Sequence, residues 1–212
     1  MSNPLLKKLI NKLVRPFINL ANRSRLKTDD FSVISSNCNG SLILHDLAQP
    51  FNSPFVNLYL TPSDFIQYVK NISHYQQVEL CFIQSDKPYP VAQLDNLTLH
   101  FKHYSSIAEA KAKWQARSKR INLDKLFILM TDRDGCCYQD LAEFDRLPFA
   151  HKVVFTHKPY PEFNSAVYIK GFEDQQQVGD LFAFCGWFGY KFYDQFDYVS
   201  WFNQITKQSI HK

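Results

Sequence analysis

The sequence predicts a layered α/β/α fold with a largely parallel or mixed central sheet, preceded by an N-terminal amphipathic helix. Short apolar runs typical of buried strands alternate along the chain with longer helical patterns, which is the order expected of an α/β protein. The 212 residues and the 45% hydrophobic content suffice for one sizeable core. We therefore expect a basic amphipathic helix over residues 1–28 and a single α/β domain over residues 29–212.

The N-terminal helix is predicted because apolar residues recur every three or four positions from Leu5 to Leu20. Polar residues fall on the opposite side, namely Lys8, Lys12, Arg15 and Asn19. Pro16 is expected to bend or split the helix, and its apolar stretches are shorter than the roughly 18 residues of a membrane span. Two interpretations stay open. The helix lies in a membrane interface with its basic residues drawn to anionic lipid, or it packs its apolar face on the protein's own core.

The body divides into strands and helices that follow one another along the chain. Continuous or alternating apolar residues predict the strands, at 31–37, 76–83, 94–103, 123–131, 151–157 and 165–172. Helical spacing predicts the helices, at 61–72, 106–121, 138–147, 175–184 and 198–206. Segment 40–47 fits either a helix or a further strand. The helix at 61–72 begins with Thr-Pro-Ser-Asp, and the helix at 106–121 has a serine cap and a charged face.

Charge is distributed unevenly between the N-terminus and the body. The net charge is +4, but residues 1–27 hold seven of the 24 basic residues and none of the 20 acidic ones. The 17 basic residues that remain face 20 acidic ones, so the body has a net charge of −3. This argues against nucleic-acid binding. The five cysteines, without a CxxC pair, predict a reduced, cytoplasmic chain.

Three predicted strands end in polar clusters. The clusters are Asn37-Cys-Asn39-Gly, Thr131-Asp132-Arg133-Asp134-Gly and Thr156-His157-Lys158-Pro-Tyr160. Ligands of open α/β sheets bind outside the carboxyl ends of the strands. If these strands are parallel neighbours, the three clusters converge on one site.

Asp132 and Asp134 are the candidate metal ligands. Residues two apart on an extended segment point the same way, and Mg²⁺ or Mn²⁺ takes carboxylate oxygens together with substrate phosphates. The alternative is a surface turn in which Asp132 caps the next helix and Arg133 makes an ion pair. His157 and Lys158 are candidates for a base and a phosphate contact, or they are solvated polar residues. Walker A, GxGxxG, GxSxG and HExxH motifs do not occur in the sequence.

At these clusters the chain resembles a bacterial family labelled exopolysaccharide biosynthesis protein, of unknown function (domain of unknown function nineteen-nineteen). The shared stretches include FSVISSNCNG, LFILMTDRDGC, HKVVFTHKPYP and YDQFDYVSWF, within a match over roughly residues 31–202. The resemblance implies an α/β fold and a role in surface-polysaccharide or lipopolysaccharide assembly. It supplies no catalytic mechanism.

With this resemblance, we expect a glycosyltransferase on the cytoplasmic side, held peripherally at the inner face of the inner membrane through residues 1–27. It would transfer a sugar from a nucleotide-sugar donor to a lipid-linked or lipopolysaccharide acceptor. Asp132 and Asp134 would then bind Mg²⁺ or Mn²⁺ and the diphosphate, and His157 or Asp46 would be the base. Substrate contacts are expected from six further residues: Asn37, Asn39, Arg133, Lys158, Tyr160 and Tyr104.

Two other functions remain open at this point. One is an acyl- or acetyltransferase that decorates the polysaccharide, for which Cys38 or Ser36 would matter. The other is a non-catalytic, membrane-associated assembly factor.

Overall fold

The computed structural model describes residues 4–204, which contain seven strands and seven α-helices. The strands are β1 (Ser32–Ser35), β2 (Cys81–Ile83), β3 (Val91–Leu94), β4 (Leu97–His100), β5 (Leu126–Thr131), β6 (Lys152–Thr156) and β7 (Ala166–Tyr168). The helices are α1 (Pro4–Arg25), α2 (Asn39–Asp46), α3 (Pro62–Lys70), α4 (Ile72–Tyr75), α5 (Ile107–Ser118), α6 (Tyr138–Asp145) and α7 (Tyr198–Phe202). The predicted α/β class is confirmed.

The central sheet is parallel, with its four strands in the order β1-β5-β6-β7. Every residue of β1 and β5 is buried, because packed layers cover both faces of the sheet. Alternate side chains enter opposite cores: Ile128 belongs to one apolar cluster, and its neighbours Phe127 and Leu129 belong to the other. This double burial explains why these strands appear in the sequence as continuous apolar runs.

The strands predicted within 76–83 and 94–103 belong to a second sheet. β2, β3 and β4 are antiparallel, and the apolar face of this sheet packs into the same core as α3 and α5. The sequence pattern predicted β2 and β4 as strands, but it did not predict that they form a sheet of their own. β3 was not predicted.

The chain leaves β1 and β5 toward opposite faces of the sheet. Apolar residues of α2, which follows β1, pack with Phe127, whereas those of α6, which follows β5, pack with Ile128. Neighbouring parallel strands whose next helices lie on opposite faces leave a crevice between their carboxyl ends. The fold therefore places an opening next to the polar clusters that follow these two strands.

α1 packs on the body through its polar side. Asn11 and Arg15 are 1% and 6% exposed, whereas Leu13 and Phe17 are 62% and 71% exposed. Of the two interpretations left open by the sequence, the one in which the apolar face packs on the protein's own core is therefore wrong. Pro16 does not split the helix, since it lies on the exposed side, where water can bond the carbonyl that lacks an amide partner. None of the helices within residues 4–204 has the length and apolar character needed to cross a bilayer.

The helix predicted at 175–184 is wrong, because this segment is irregular. Val178 and Leu181 are buried in the core that contains Phe127, and their spacing imitates a helical stripe. The predicted helix at 198–206 is confirmed over Tyr198–Phe202, and its last two positions lie outside the described residues.

Candidate active site

Two clefts open where β1, β5 and β6 end. The histidine cleft has a volume of about 440 Å³ and is lined by residues that include Asp132, His157, Lys158 and Tyr160. The asparagine cleft has a volume of about 480 Å³ and is lined by residues that include Asn37, Asn39, Arg133 and Asp134. The three strand-end clusters thus meet at one edge of the sheet, but they face two neighbouring cavities that share the segment after β5.

Asp132 is buried beneath the histidine cleft, and its carboxylate accepts three hydrogen bonds. Oδ1 accepts the backbone N–H of Val178 over 2.8 Å. Oδ2 accepts the backbone N–H of His157 over 2.8 Å and lies 2.5 Å from Nδ1 of the same histidine. Only 5% of Asp132 is exposed, so these donors replace the water that a carboxylate would otherwise bind.

The contact with Asp132 fixes the tautomer of His157. An ionised carboxylate can only accept hydrogen bonds, so Nδ1 of His157 carries the proton. In the neutral ring Nε2 is then the atom with a free lone pair. His157 lines the histidine cleft, and Nε2 is the ring nitrogen available there to accept a proton from a ligand. A buried carboxylate that orients a histidine in this way is the arrangement of a general base.

Aromatic and polar side chains surround this histidine. The Nζ of Lys158 lies 5.3 Å from the centroid of the Tyr160 ring, and Tyr138 lies 6.2 Å from the same ring. Glu173 also lines the cleft, and a hydrogen bond from Tyr168 is the main influence that lowers its pKa to about 2. The cleft therefore offers rings for stacking, one cation and, besides the buried Asp132, one exposed carboxylate.

Asn37 joins the carboxyl ends of β1 and β5. Its Nδ2 donates to Oγ1 of Thr131 over 2.7 Å, and its Oδ1 accepts the side-chain amide of Asn39 over 2.9 Å. The two asparagines are 9% and 7% exposed. Asn37 therefore holds Asn39 in place at the floor of the asparagine cleft.

The rim of the asparagine cleft carries charges of both signs. Exposed Lys102 and His103 face it together with Arg133, and the carboxylates of Asp134 and Asp180 lie at the same opening. Arg133 donates from Nη1 to the carbonyl of Gly179 over 2.8 Å, which anchors the guanidinium without neutralising it. Cations at this opening can contact anionic groups, and the carboxylates can accept hydrogen bonds from hydroxyl groups.

The two carboxylates predicted to share a metal face different clefts. Asp132 uses its oxygens for the three internal hydrogen bonds, whereas Asp134 is exposed at the asparagine cleft, in a left-handed turn with φ of 61°. Residues 4–204 contain no group of three or more His, Cys, Asp or Glu side chains that could hold a metal ion. A cation chelated by both Asp132 and Asp134 does not fit this arrangement, because the turn separates them.

Asp46 lies at the far end of α2 from these clefts. Its Oδ2 accepts Nη2 of Arg15 over 2.6 Å and Nζ of Lys191 over 2.8 Å, and it also accepts the hydroxyl of Tyr193. Asp46 lies seven positions after Asn39 in α2, which is about 10 Å along the helix axis. The base predicted at Asp46 is therefore an ion-pair centre that holds α1.

Tyr104 is part of the core. It is 7% exposed, its hydroxyl donates to the carbonyl of Val56 over 2.9 Å, and it accepts Nη1 of Arg117 over 2.9 Å. Its ring cannot stack on a sugar in either cleft, in contrast to the half-buried Tyr160.

Sequence reasoning missed several residues that line the clefts. In the histidine cleft these are Cys136, Cys137, Tyr138, Glu173, Gln175 and Gln176. In the asparagine cleft they are Tyr59, Lys102, His103 and Asp180. Most of them lie on segments between elements, where no periodicity marks them.

Comparison with known proteins places the chain in a family. A family model described as a domain of unknown function, DUF1919, matches residues 9–203. A protein of Haemophilus influenzae, described as an uncharacterized protein, is 58% identical over 198 residues, which cover 93% of this chain and 96% of that protein. Neither description mentions a polysaccharide, so that part of the resemblance stays a prediction.

Proposed function

The chain belongs to the DUF1919 family, and we propose that it is a glycosyltransferase of surface-polysaccharide or lipopolysaccharide assembly in which His157 is the general base. The observation that carries this proposal is the buried Asp132–His157 pair at the edge of a cleft with aromatic walls. Transfer to an acceptor hydroxyl needs a base that removes its proton. The tyrosine rings of the cleft provide surfaces on which a carbohydrate ring can stack.

The proposed reaction transfers a sugar from a nucleotide donor to an acceptor hydroxyl. Nε2 of His157 accepts the hydroxyl proton as the oxygen bonds to the anomeric carbon, and the bond from that carbon to the nucleoside diphosphate breaks. Asp132 keeps the ring oriented and stabilises the imidazolium that forms. The acceptor sugar stacks on Tyr160, and Glu173 at the rim accepts hydrogen bonds from its hydroxyls.

We assign the nucleotide diphosphate to the asparagine cleft. Arg133 and Lys102 supply positive charge for the phosphate oxygens, and the carboxylates of Asp134 and Asp180 suit ribose hydroxyls. Lys158 stabilises the leaving group from the side of the histidine cleft. This arrangement compensates the phosphate charge with protein cations, so the predicted Mg²⁺ or Mn²⁺ has no required role in it.

The test is release of nucleoside diphosphate from a panel of sugar nucleotides, with lipid-linked sugar as acceptor and with or without Mn²⁺. The wild-type protein should turn over at least one donor, and His157→Gln should lower kcat by about 10²- to 10⁴-fold. His74 is a matched control, since its Nε2 makes an exposed pair with Asp95 over 3.1 Å, and His74→Gln should leave kcat unchanged. No turnover and no thermal shift with any donor would overturn the proposal.

Acyl transfer is the second candidate, because the same histidine pair could activate an acceptor hydroxyl toward a thioester. Direct attack by Cys38 is disfavoured, since burial is the main influence that raises the pKa of its thiol, and Ser36 is only 3% exposed. Acetyl-coenzyme A belongs in the same panel. Turnover of acetyl-coenzyme A, with no turnover of any sugar nucleotide, would establish acyl transfer. If no ligand of the panel binds in either cleft, the non-catalytic assembly factor is favoured.

A further inference from the structure

α1 has the reverse of the usual orientation of a surface helix. Its apolar face consists of six residues that are 48% to 76% exposed: Leu5, Leu6, Leu9, Leu13, Phe17 and Leu20. Helices of globular proteins normally turn such a stripe toward the core. Contiguous exposed apolar surface of this kind marks an interaction site.

Buried polar contacts hold the helix in this orientation. Asn11 donates from Nδ2 to the carbonyl of Gly186 over 2.8 Å and accepts the N–H of Gly189 over 2.8 Å. Arg15 pairs with Asp46 over 2.6 Å and also with Asp194. Rotating α1 to bury its leucines would leave the buried carboxylates of Asp46 and Asp194 without this partner, which is costly. The outward direction of the apolar face is thus built into the fold.

The loop that Asn11 holds adds aromatic side chains beside the helix. Phe188 and Tyr190 are 65% and 52% exposed, and Tyr190 lines the same cavity as Phe17, about 570 Å³ in volume. Aromatic residues of this kind favour the boundary between lipid and water. The exposed apolar surface therefore combines the apolar face of α1 with residues from the other end of the chain.

The positive charge of α1 indicates which partner binds this apolar surface. α1 contains no acidic residue, and its Lys8 and Lys12 are exposed to solvent as the apolar face is. Anionic headgroups attract such lysines while acyl chains take up the leucines. A second copy of this chain would bring the same lysines toward each other, which disfavours a symmetric dimer through this face.

We propose that the apolar face of α1, together with Phe188 and Tyr190, docks the protein in the plane of an anionic lipid bilayer. The helix is 22 residues long, about 33 Å, and it lies parallel to the membrane without crossing it. This inference does not depend on the glycosyltransferase proposal, because the experiment reads vesicle binding and not turnover.

The test is co-sedimentation of the full chain with vesicles of equal parts phosphatidylglycerol and phosphatidylcholine. Wild-type protein should bind, and Phe17→Glu should lower the partition coefficient by about tenfold or more, because the exposed ring no longer enters the acyl region. Leu13→Glu is a second variant on the same face. Both substitutions are at exposed positions, so thermal melting should be nearly unchanged.

Ile107→Glu is the matched control. Ile107 is 52% exposed on α5, so the variant introduces the same charge at an apolar surface residue elsewhere and should bind as the wild type does. Pure phosphatidylcholine vesicles should bind the wild type much more weakly.

Three outcomes would overturn the proposal. They are no binding of the wild type, equal binding of Phe17→Glu and wild type, and equal binding to the two kinds of vesicle. Light scattering after size exclusion gives a further check. A wild-type dimer that Phe17→Glu converts to a monomer, without vesicle binding, would show that the face is an interface between copies.

Discussion

At the scale of single residues, Asp132 determines the chemistry of the histidine cleft through the hydrogen bonds that its carboxylate accepts. Its three donors are N–H groups from Val178 and His157. In Asp132→Asn the amide would offer a donor where an acceptor is needed, so one buried N–H loses its partner. We expect a loss of about 2–3 kcal/mol in the free energy of unfolding, measured by urea titration.

The same substitution should change the histidine. Without the carboxylate, the preference for a proton on Nδ1 is lost, and ¹⁵N chemical shifts of the His157 ring should move toward the Nε2–H tautomer. The His74 signals provide the internal reference, because its Asp95 partner is unaltered. An unchanged tautomer in Asp132→Asn would contradict the orienting role.

These residue contacts lie largely beyond what the sequence could predict. The pairing of Asp132 with His157 needs β5 and β6 as parallel neighbours, and the polar clusters at their ends suggested such a meeting. The hydrogen bonds that each oxygen of Asp132 accepts also depend on the segment around Val178, and the sequence did not indicate the path of that segment. The role of Asp46 was unpredictable for the same reason, because Arg15 and Lys191 reach it from opposite ends of the chain.

At the scale of elements, two glycines with positive φ allow a matched comparison. Gly189 has φ of 78°, and a Cβ there would lie 2.8 Å from the backbone nitrogen of Arg15. Gly135 has φ of 90° with open space around its Cβ position. Gly135→Ala should therefore cost only the conformational penalty of about 1 kcal/mol.

Gly189→Ala adds a clash with the backbone of α1 and should cost about 2–4 kcal/mol in total, measured by urea unfolding. Hydrogen exchange should also rise in α1, because the loop that receives Asn11 is displaced. Equal costs for the two substitutions would mean that the contact between this loop and α1 contributes little.

Helices and strands could be predicted where the pattern of apolar residues is compatible with only one type of secondary structure. β5 is buried on both faces, so its six-residue apolar run indicated a strand without ambiguity. The segment around Val178 and Leu181 shows the opposite case, since its apolar spacing satisfies a helix but its backbone bonds to Asp132 and Arg133 instead. Tertiary hydrogen bonds of this kind override a local pattern.

At the scale of the whole molecule, α1 is joined to the body by charge more than by apolar packing. Asp46 is the centre of this junction, with Arg15 from α1 and Lys191, Tyr193 and Asp194 from the segment before α7. Burial is the largest influence and raises the pKa of Asp46. Hydrogen bonds from Lys191 and Tyr193 and the charge of Arg15 together outweigh it and lower the pKa from 3.8 to about 2.

A lowered carboxyl pKa stabilises the fold at neutral pH and ceases to do so in acid. The contribution of Asp46 is complete above about pH 4 and is lost as the pH falls toward 2, which amounts to about 2 kcal/mol. Asp46→Asn keeps the shape without the charge, so it should be less stable than the wild type at pH 7, and the gap should narrow by about that amount near pH 2. Urea unfolding at several pH values measures both curves. All other carboxylates are present in both proteins, so their effects cancel when the free energy of unfolding of Asp46→Asn is subtracted from that of the wild type. If this difference does not change with pH, the charge of Asp46 does not hold α1 in place.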